Sequence, residues 1–273
     1  MMTLTEKYEH LKTSVGNNKR LAVAFSGGVD SSLLLAVARD VLNQEVVALT
    51  AHSEFVPARE VVAAQELARQ LGVRHYCLPV QALAVAEVAA NSPERCYFCK
   101  RALFTTLRDF AHTLGFEQVV DGSNLDDLSD YRPGLQALVS LGIGSPLREA
   151  GLTKVDIRTL ARQLALPNWD LPAAACLASR IPYGDLITLA KVQQVEAAEL
   201  VLTQAGFQQV RVRLHGNLAR LEVAAAEFPR FADEQLRQQL IVALKTLGIT
   251  YVTLDLEGYR TGSLNEALIP TIS

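Results

Sequence analysis

The sequence predicts an α/β fold in which a doubly wound parallel sheet is followed by a smaller α+β domain. Two patterns predict it. Up to about residue 185, short apolar runs alternate with helical segments that end at glycines, which is typical of a parallel sheet with helices on both faces. Beyond that point, apolar and polar residues alternate strictly, as in half-buried strands. We therefore predict two domains, 1–185 and 186–273.

The elements of the first domain follow in order. Helical spacing predicts a helix over 3–14, and the uninterrupted apolar run at 20–25 predicts a strand buried on both faces. We then predict a helix over 31–42, a strand over 45–51, a helix over about 57–71, a strand within 74–80, a helix over 98–114 and a strand over 118–122. A ligand is expected beyond the carboxyl ends of these strands, where Ser26, Ala51 to Glu54 and Asp121 to Asn124 lie.

The second domain is predicted from a helix over 187–206, two alternating strands over 209–216 and 219–224, a helix near 231–247 and a strand over 251–258. His215, Gly216 and Asn217 lie between the two alternating strands and predict a hairpin turn.

Composition excludes several classes of protein. The chain has 273 residues, of which 49% are hydrophobic and 20% charged, as in a soluble globular protein. The net charge of −3 disfavours binding of long nucleic acid by charge alone. No apolar run approaches the roughly 18 residues of a membrane span, and the first twenty residues lack a signal-peptide centre, so we expect a cytoplasmic protein without a membrane partner. Four cysteines are too few for a disulfide scaffold.

The clearest motif is a glycine- and serine-rich loop between the first strand and the next helix. It comprises Ser26, Gly27, Gly28, Val29, Asp30, Ser31 and Ser32. The glycines allow a tight turn, the helix start offers N–H groups to an anion, and the three serines add hydroxyl donors. Asp30 would repel phosphate unless Mg²⁺ lies between them. The loop lacks the lysine of a Walker A motif, and the alternative is a capped helix after a tight turn.

This loop resembles the PP-loop of the N-type ATP pyrophosphatases, over roughly residues 20–165. The resemblance implies an adenine nucleotide alpha hydrolase-like fold. It also implies that ATP is cleaved between its α and β phosphates, leaving pyrophosphate and an adenylated substrate from which a nitrogen or sulfur nucleophile displaces AMP. By the same resemblance, Ala51 after the second strand and Gly122 after the fourth lie near the nucleotide.

Three cysteines form a second group of candidates. Cys96 and Cys99 open a predicted helix, and Cys176 lies in a Pro/Ala-rich loop. A zinc site needs four ligands, and no second C-x-x-C or His-x-x-x-His completes one. The three thiolates could instead hold a 4Fe–4S cluster with one iron left open. The alternative is three unconnected thiols.

Two arginines share one face of an alternating strand. Arg211, Arg213 and His215 lie opposite Val210, Val212 and Leu214. Arginines two residues apart can grip one phosphate, and a patch of this size suits a mononucleotide rather than a tRNA backbone. The alternative is a solvated strand face. Two further polar segments, 121–134 and 257–265, are candidates for a binding site. Each could instead be a surface loop, and composition does not distinguish the two interpretations.

Several motifs in the same order resemble the LarE family, the sulfur-inserting enzymes that build the nickel-pincer cofactor of lactate racemase. They are SGGVDSS, DGSNLDDLSDYRPG, CLASRIPYG, VRVRLHG and LDLEGYRTGSLN, and they cover nearly the whole chain. The family adenylates the carboxylates of pyridinium-3,5-biscarboxylic acid mononucleotide and converts them to thiocarboxylates. In one branch a single cysteine, matching Cys176, gives up its own sulfur. Cys96 and Cys99 depart from that branch and resemble one with a 4Fe–4S cluster, whose open iron can carry an extra sulfide.

The resemblance also implies residue roles. Asp30 and Cys176 would be catalytic, Arg211, Arg213 and Arg260 would contact the substrate phosphate, and Ser179 and Arg180 would lie beside Cys176. We expect ATP, Mg²⁺ and the cluster as cofactors, a mononucleotide and a sulfur donor as small-molecule partners, no nucleic acid, and a homo-oligomer assembled through the second domain. The alternatives are a tRNA 2-thiolation enzyme, an amide-forming synthetase and a non-enzymatic nucleotide-binding module.

Overall fold

The computed structural model describes residues 2–129, 133–172, 176–260 and 262–264. The chain divides into two compact units. The first comprises Met1–Val88 and Pro93–Ala174, and the second comprises Ala89–Ser92 and Ala175–Ser273. The second unit begins ahead of the predicted junction, and it includes Arg180, which forms an ion pair with Glu199 of the same unit. The functional division of the chain at 185 and 186 stays a prediction.

A four-stranded parallel sheet forms the centre of the first unit. Its strands are β1 (Leu21–Ala24), β2 (Val46–His52), β3 (Arg74–Pro79) and β4 (Val119–Val120), in the order β3-β2-β1-β4. The predicted parallel sheet is therefore confirmed. Because β2 and β4 flank β1 on opposite sides, the chain reverses direction across the sheet at β1, and such a switch point is where a doubly wound sheet binds its ligand.

Helices cover both faces of this sheet. They are α1 (Leu4–Gly16), α2 (Val29–Leu42), α3 (Ala58–Gln70), α4 (Ala86–Ala89), α5 (Arg95–Thr113), α6 (Pro133–Ser140), α7 (Pro146–Glu149) and α8 (Lys154–Gln163). The apolar run of β1 divides between two cores. Leu21 and Val23 pack with α1 and α2, whereas Ala22 packs with Leu107 of α5 on the other face. The strand is apolar throughout because both of its faces are buried.

Two helices begin earlier than predicted. α2 starts at Val29 because Gly28 takes the N-cap position in extended conformation, which places Ser31 and Ser32 in its first turn. α5 starts at Arg95, so Cys96 and Cys99 both lie at its N-terminal end.

In the residues that the structure describes, the second unit combines a three-stranded sheet with two α-helices and two short 3-10 helices. Its elements are α9 (Leu189–Gln204), β5 (Val210–His215), β6 (Leu218–Val223), α10 (Glu234–Thr246) and β7 (Tyr251–Leu254). β5 and β6 form the predicted antiparallel hairpin, closed by Gly216 at a φ of 60° and Asn217, and β7 adds to β6 in parallel. Val210 and Val212 pack into the apolar core with α9 and α10. In the described part of the chain, no helix is long and apolar enough to cross a membrane.

Candidate functional site

The N-terminal end of α2 is the first candidate site. Gly28, the N-cap of α2, has no side chain to cap the helix, whereas side chains cap α1, α8, α9 and α10; α3, α5 and α7 likewise lack a side-chain cap. Gly27, at a φ of 78°, brings the loop so close to α3 that an added Cβ would lie 3.1 Å from the Cβ of Ala64. A glycine turn followed by a helix start without a side-chain cap is the arrangement that binds phosphate.

The serine hydroxyls of this loop hydrogen bond within it. Ser31 and Ser32 donate to the carbonyl oxygen of Gly28 at 3.0 and 2.9 Å, and both residues are buried. The exposed Ser26 has its Oγ 3.2 Å from that of Ser31. In this arrangement the hydroxyls of Ser31 and Ser32 shape the loop, and nucleotide contacts by the serines stay a prediction.

Asp30 has one paired and one open carboxylate oxygen. Its Oδ2 accepts a short hydrogen bond from the Nζ of Lys154, at the start of α8. Its Oδ1 is buried without a hydrogen-bond partner. An open carboxylate oxygen at a phosphate site is a suitable ligand for Mg²⁺. The residues present therefore fit the predicted cation.

The predicted nucleotide residues lie at the ends of neighbouring strands. Ala51 is near the end of β2, next to β1, and Gly122 follows β4 on the other side of β1. A Cβ on Gly122 would lie 2.9 Å from the backbone nitrogen of Ser31, so only glycine lets the chain after β4 approach α2 this closely. Preceding Ala51, Thr50 lies with its Oγ1 2.7 Å from the Nε2 of His75, and burial lowers the pKa of this histidine.

Sequence reasoning missed Asn168. Its Nδ2 donates to the carbonyl oxygen of Gly27 at 2.8 Å and to the Oγ of Ser32 at 2.9 Å. The residue is 5% exposed, and its Oδ1 is buried without a hydrogen bond. No local pattern marks Asn168, because the loop it supports lies more than a hundred residues earlier in the chain.

The three cysteines come from both units. Cys96 and Cys99 are one helical turn apart at the start of α5, the first exposed and the second half-buried. The exposed Cys176 belongs to the second unit. Within the described ranges, no group of three or more His, Cys, Asp or Glu side chains could hold a metal ion. Cys96 and Cys99 are spaced to act as neighbouring ligands, and the three-cysteine cluster stays a prediction.

The backbone of Cys176 is held in place by its neighbours. Its carbonyl oxygen accepts hydrogen bonds from the Oγ of Ser179 at 2.8 Å and from the Nη1 of Arg180 at 3.0 Å. Arg180 is buried and donates through its Nε to Glu199 at 2.7 Å. Ser179 and Arg180 thus lie beside Cys176 and anchor the turn that carries its exposed side chain.

The arginines of β5 differ in their surroundings. Arg213 is 6% exposed, and its Nε and Nη2 each donate to Glu222 at 2.9 Å, so a solvated strand face does not describe it. Arg211 lies over the ring of Tyr259, 5.2 Å from its centre. Burial, and next the charge of Arg180, lower the pKa of Arg211. Arg260 pairs with Glu257 at 2.7 Å.

A cavity of about 420 Å³ opens in the second unit, and of the three predicted phosphate contacts Arg213 lines it, whereas Arg211 and Arg260 are not among its lining residues. The polar side chains in its lining are those of Arg180, Tyr183, Arg213, His215, Arg220 and Ser263. Burial, and next the charge of Arg220, lower the pKa of His215. The volume of the cavity suits a small ligand, and the arginines in its wall favour an anionic one.

Arg220 is a second residue that sequence reasoning missed. It faces Arg213 across the hairpin, and its Nη1 donates to Asp255. Its Nε is buried and makes no hydrogen bond. The alternation along β6 could have identified Arg220 from the sequence, because it places Arg220 and Glu222 on one face of the strand, opposite Ala219, Leu221 and Val223.

Comparison with known proteins agrees with this description. A family model described as asparagine synthase matches residues 9–118. An uncharacterised protein from Synechocystis sp. is 44% identical over 97% of this chain and 99% of its own length. Pyridinium-3,5-bisthiocarboxylic acid mononucleotide synthase from Lactiplantibacillus plantarum is 40% identical over 98% of this chain and 97% of its own. A tRNA-specific 2-thiouridylase from Xanthobacter autotrophicus is 28% identical over 66% of this chain and 56% of its own.

The fold, the phosphate loop and these relatives define an enzyme of the PP-loop class of ATP-dependent sulfurtransferases. More narrowly, the chain belongs to the LarE family, which the match to the synthase from L. plantarum establishes over nearly the full length of both proteins.

Proposed function

We propose that this protein inserts sulfur into pyridinium-3,5-biscarboxylic acid mononucleotide at the expense of ATP. The observation that carries the proposal is the arginine-lined cavity of the second unit, in a chain whose first unit holds an open phosphate loop. The full-length match to a mononucleotide synthase of this chemistry supports it.

The first step is adenylation. A carboxylate oxygen of the substrate attacks the α-phosphorus of ATP, the bond to the β-phosphate oxygen breaks, and pyrophosphate leaves. The N–H groups at the start of α2 bind the phosphates, and Asp30 would hold Mg²⁺, which would offset the negative charge of the nucleotide. Gly122 has no side chain, so the chain after β4 can lie directly against the backbone of Asp30 and Ser31 at the start of α2.

The substrate phosphate is bound in the second unit. Arg211, Arg213 and Arg260 are the predicted contacts, and we add Arg220, because it lines the cavity beside Arg213. Glu199 and Glu222 hold two cavity arginines, Arg180 and Arg213, in fixed positions.

The second step is sulfur transfer. Sulfide attacks the carbonyl carbon of the acyl adenylate, the bond to the phosphate oxygen breaks, and AMP leaves with a thiocarboxylate as the product. Two rounds convert both carboxylates. Cys96, Cys99 and Cys176 would hold the 4Fe–4S cluster, which supplies the sulfide when bound. In the alternative, Cys176 gives up its own sulfur.

The test is anaerobic incubation of the reconstituted protein with ATP, Mg²⁺, sulfide and the biscarboxylate mononucleotide. We expect AMP, pyrophosphate and thiocarboxylate products by mass spectrometry, and we expect Asp30→Ala to abolish AMP formation without unfolding the protein. Asp40→Ala is the control, because Asp40 is exposed at the far end of the same helix.

Two results would contradict the proposal. Release of ADP and orthophosphate would exclude cleavage between the α and β phosphates. Formation of AMP with unmodified tRNA, but not with the mononucleotide, would assign the protein to tRNA thiolation instead.

A further inference from the structure

The phosphate loop contains no lysine, yet the fold brings one to it. P-loop NTPases carry a lysine within their loop that reaches the β- and γ-phosphates. Residues 26–32 hold only glycine, serine, valine and aspartate. In the folded chain the Nζ of Lys154, 124 residues from Asp30, forms an ion pair with the Oδ2 of that aspartate.

The backbone of Lys154 is firmly positioned. The preceding Thr153 caps α8 and forms a reciprocal pair of hydrogen bonds with Asp156. The backbone N–H of Lys154 donates to Asp126 at 2.7 Å, and Leu125 donates to the carbonyl oxygen of Leu152 at 2.9 Å. The start of α8 is therefore tied to the loop that follows β4, and only the four-carbon stem of the lysine is left to move.

The position of this lysine opposes the local preference of a helix. Lys154 is the first residue of α8, where the helix macrodipole disfavours a positive charge. Two carboxylates compensate for this unfavourable charge: Asp30 accepts a hydrogen bond from the side chain of Lys154, and Asp126 accepts one from its backbone N–H. Helix stability therefore does not explain a lysine here, whereas a role at the phosphate loop does.

The ion pair is also accessible enough to rearrange. The side chain of Lys154 is 31% exposed and that of Asp30 is 24% exposed, and the second oxygen of Asp30 has no partner. The ammonium group of Lys154 is held beside the phosphate loop by one carboxylate oxygen of Asp30. When Asp30 binds a cation, Lys154 can exchange this contact for one with a phosphate oxygen.

We propose that Lys154 is the tethered cation of the phosphate loop. It neutralises Asp30 while the loop is empty, and it contacts the β- or γ-phosphate of bound ATP, where it stabilises pyrophosphate as the leaving group. This inference rests on the proposed cleavage of ATP to AMP and pyrophosphate.

The test measures binding without turnover. Dissociation constants for ATP, inorganic pyrophosphate and AMP are measured by calorimetry in Mg²⁺, with the mononucleotide substrate left out. We expect Lys154→Ala to weaken binding of ATP and pyrophosphate about 10-fold, which is about 1.4 kcal/mol. AMP lacks the β- and γ-phosphates, so its affinity stays within about 2-fold, and Lys154→Arg recovers part of the ATP affinity because it keeps the charge.

Lys7→Ala is the matched control. Lys7 forms an ion pair with Asp156 in the same first turn of α8, at 2.6 Å and with similar exposure, but it lies on α1. Thermal unfolding should change to a similar, small extent in both variants, whereas only Lys154→Ala changes ATP binding.

Three outcomes would overturn the inference. Equal weakening of ATP, pyrophosphate and AMP by Lys154→Ala would make the lysine a structural residue of the loop. Unchanged binding of all three would limit it to neutralising Asp30. Failure of the wild-type protein to bind ATP would overturn the proposed function as well, so the two failures are distinguishable.

Discussion

Single residues of the second unit form buried ion pairs around the candidate substrate cavity. Arg180 and Glu199 are 3% and 4% exposed at their side chains, and Arg213 and Glu222 are 7% and 0% exposed. Removing one partner of such a pair leaves a buried charge unpaired, which costs about 3–5 kcal/mol of stability. Arg213 therefore supports the fold in addition to its predicted role toward the substrate.

We predict that Arg211→Ala weakens mononucleotide binding by about 1.5–3 kcal/mol, the range of a hydrogen bond to a charged group, and leaves ATP binding unchanged. Arg213→Ala should weaken the same binding and also lower the melting temperature, because Glu222 loses its partner. Calorimetric titration with each ligand and thermal unfolding separate the two effects.

Arg237→Ala on α10 is the control for these variants, since Arg237 donates to the carbonyl oxygen of Phe231 and does not line the cavity. Mononucleotide binding at wild-type strength by both Arg211→Ala and Arg213→Ala would show that this face is not the phosphate site.

Among the elements, the start of α2 depends on a residue from outside its own supersecondary unit. Asn168 bonds both the turn, at Gly27, and the first helical turn, at Ser32. We predict that Asn168→Ala weakens ATP and AMP binding together, about 10-fold each, because the loop itself loses its shape. This differs from Lys154→Ala, which should spare AMP.

Asn168→Asp should be at least as damaging, because a carboxylate cannot donate to the carbonyl oxygen of Gly27. Asn18→Ala is the control, since the Nδ2 of Asn18 bonds backbone carbonyls at the end of α1. ATP affinity is read by calorimetry. Equal losses for Asn18→Ala and Asn168→Ala would reduce the role of Asn168 to general stability.

For the whole molecule, the question is whether sulfur transfer is catalytic. A cysteine that gives up its own sulfur acts once, whereas a cluster that exchanges sulfide acts repeatedly. We predict that the anaerobically reconstituted protein makes more than one product molecule per protein chain. Mass spectrometry should show that Cys176 stays an intact cysteine. Cys96→Ala, Cys99→Ala and Cys176→Ala should each lose the visible absorbance of the cluster together with the activity.

Cys77→Ala is the control for the cysteine variants, because Cys77 lies half-buried in β3, where Gln65 donates to its sulfur at 3.4 Å. It should keep both absorbance and activity. A single turnover with Cys176 converted to dehydroalanine would contradict the cluster and favour the sacrificial chemistry.

The sequence by itself determined the parallel sheet, the hairpin of the second unit and the phosphate loop. Each depends on local information. An apolar run at 20–25 requires burial on both faces, strict alternation at 210–215 requires a half-buried strand, and paired glycines before a helix require a tight turn. Motif order along the chain was sufficient to indicate the LarE family, which the full-length relative then confirmed.

Only the tertiary structure decided which side chains support these motifs. Lys154 reaches Asp30 and Asn168 reaches Gly27, and neither of these partners has a local signature, whereas alternation along β6 indicates the face of Glu222 but not its pairing with Arg213. The physical reason is that a buried polar group must find a partner wherever the fold supplies one. Periodicity assigns a residue to a face, but the identity of its partner depends on which distant segment packs against that face.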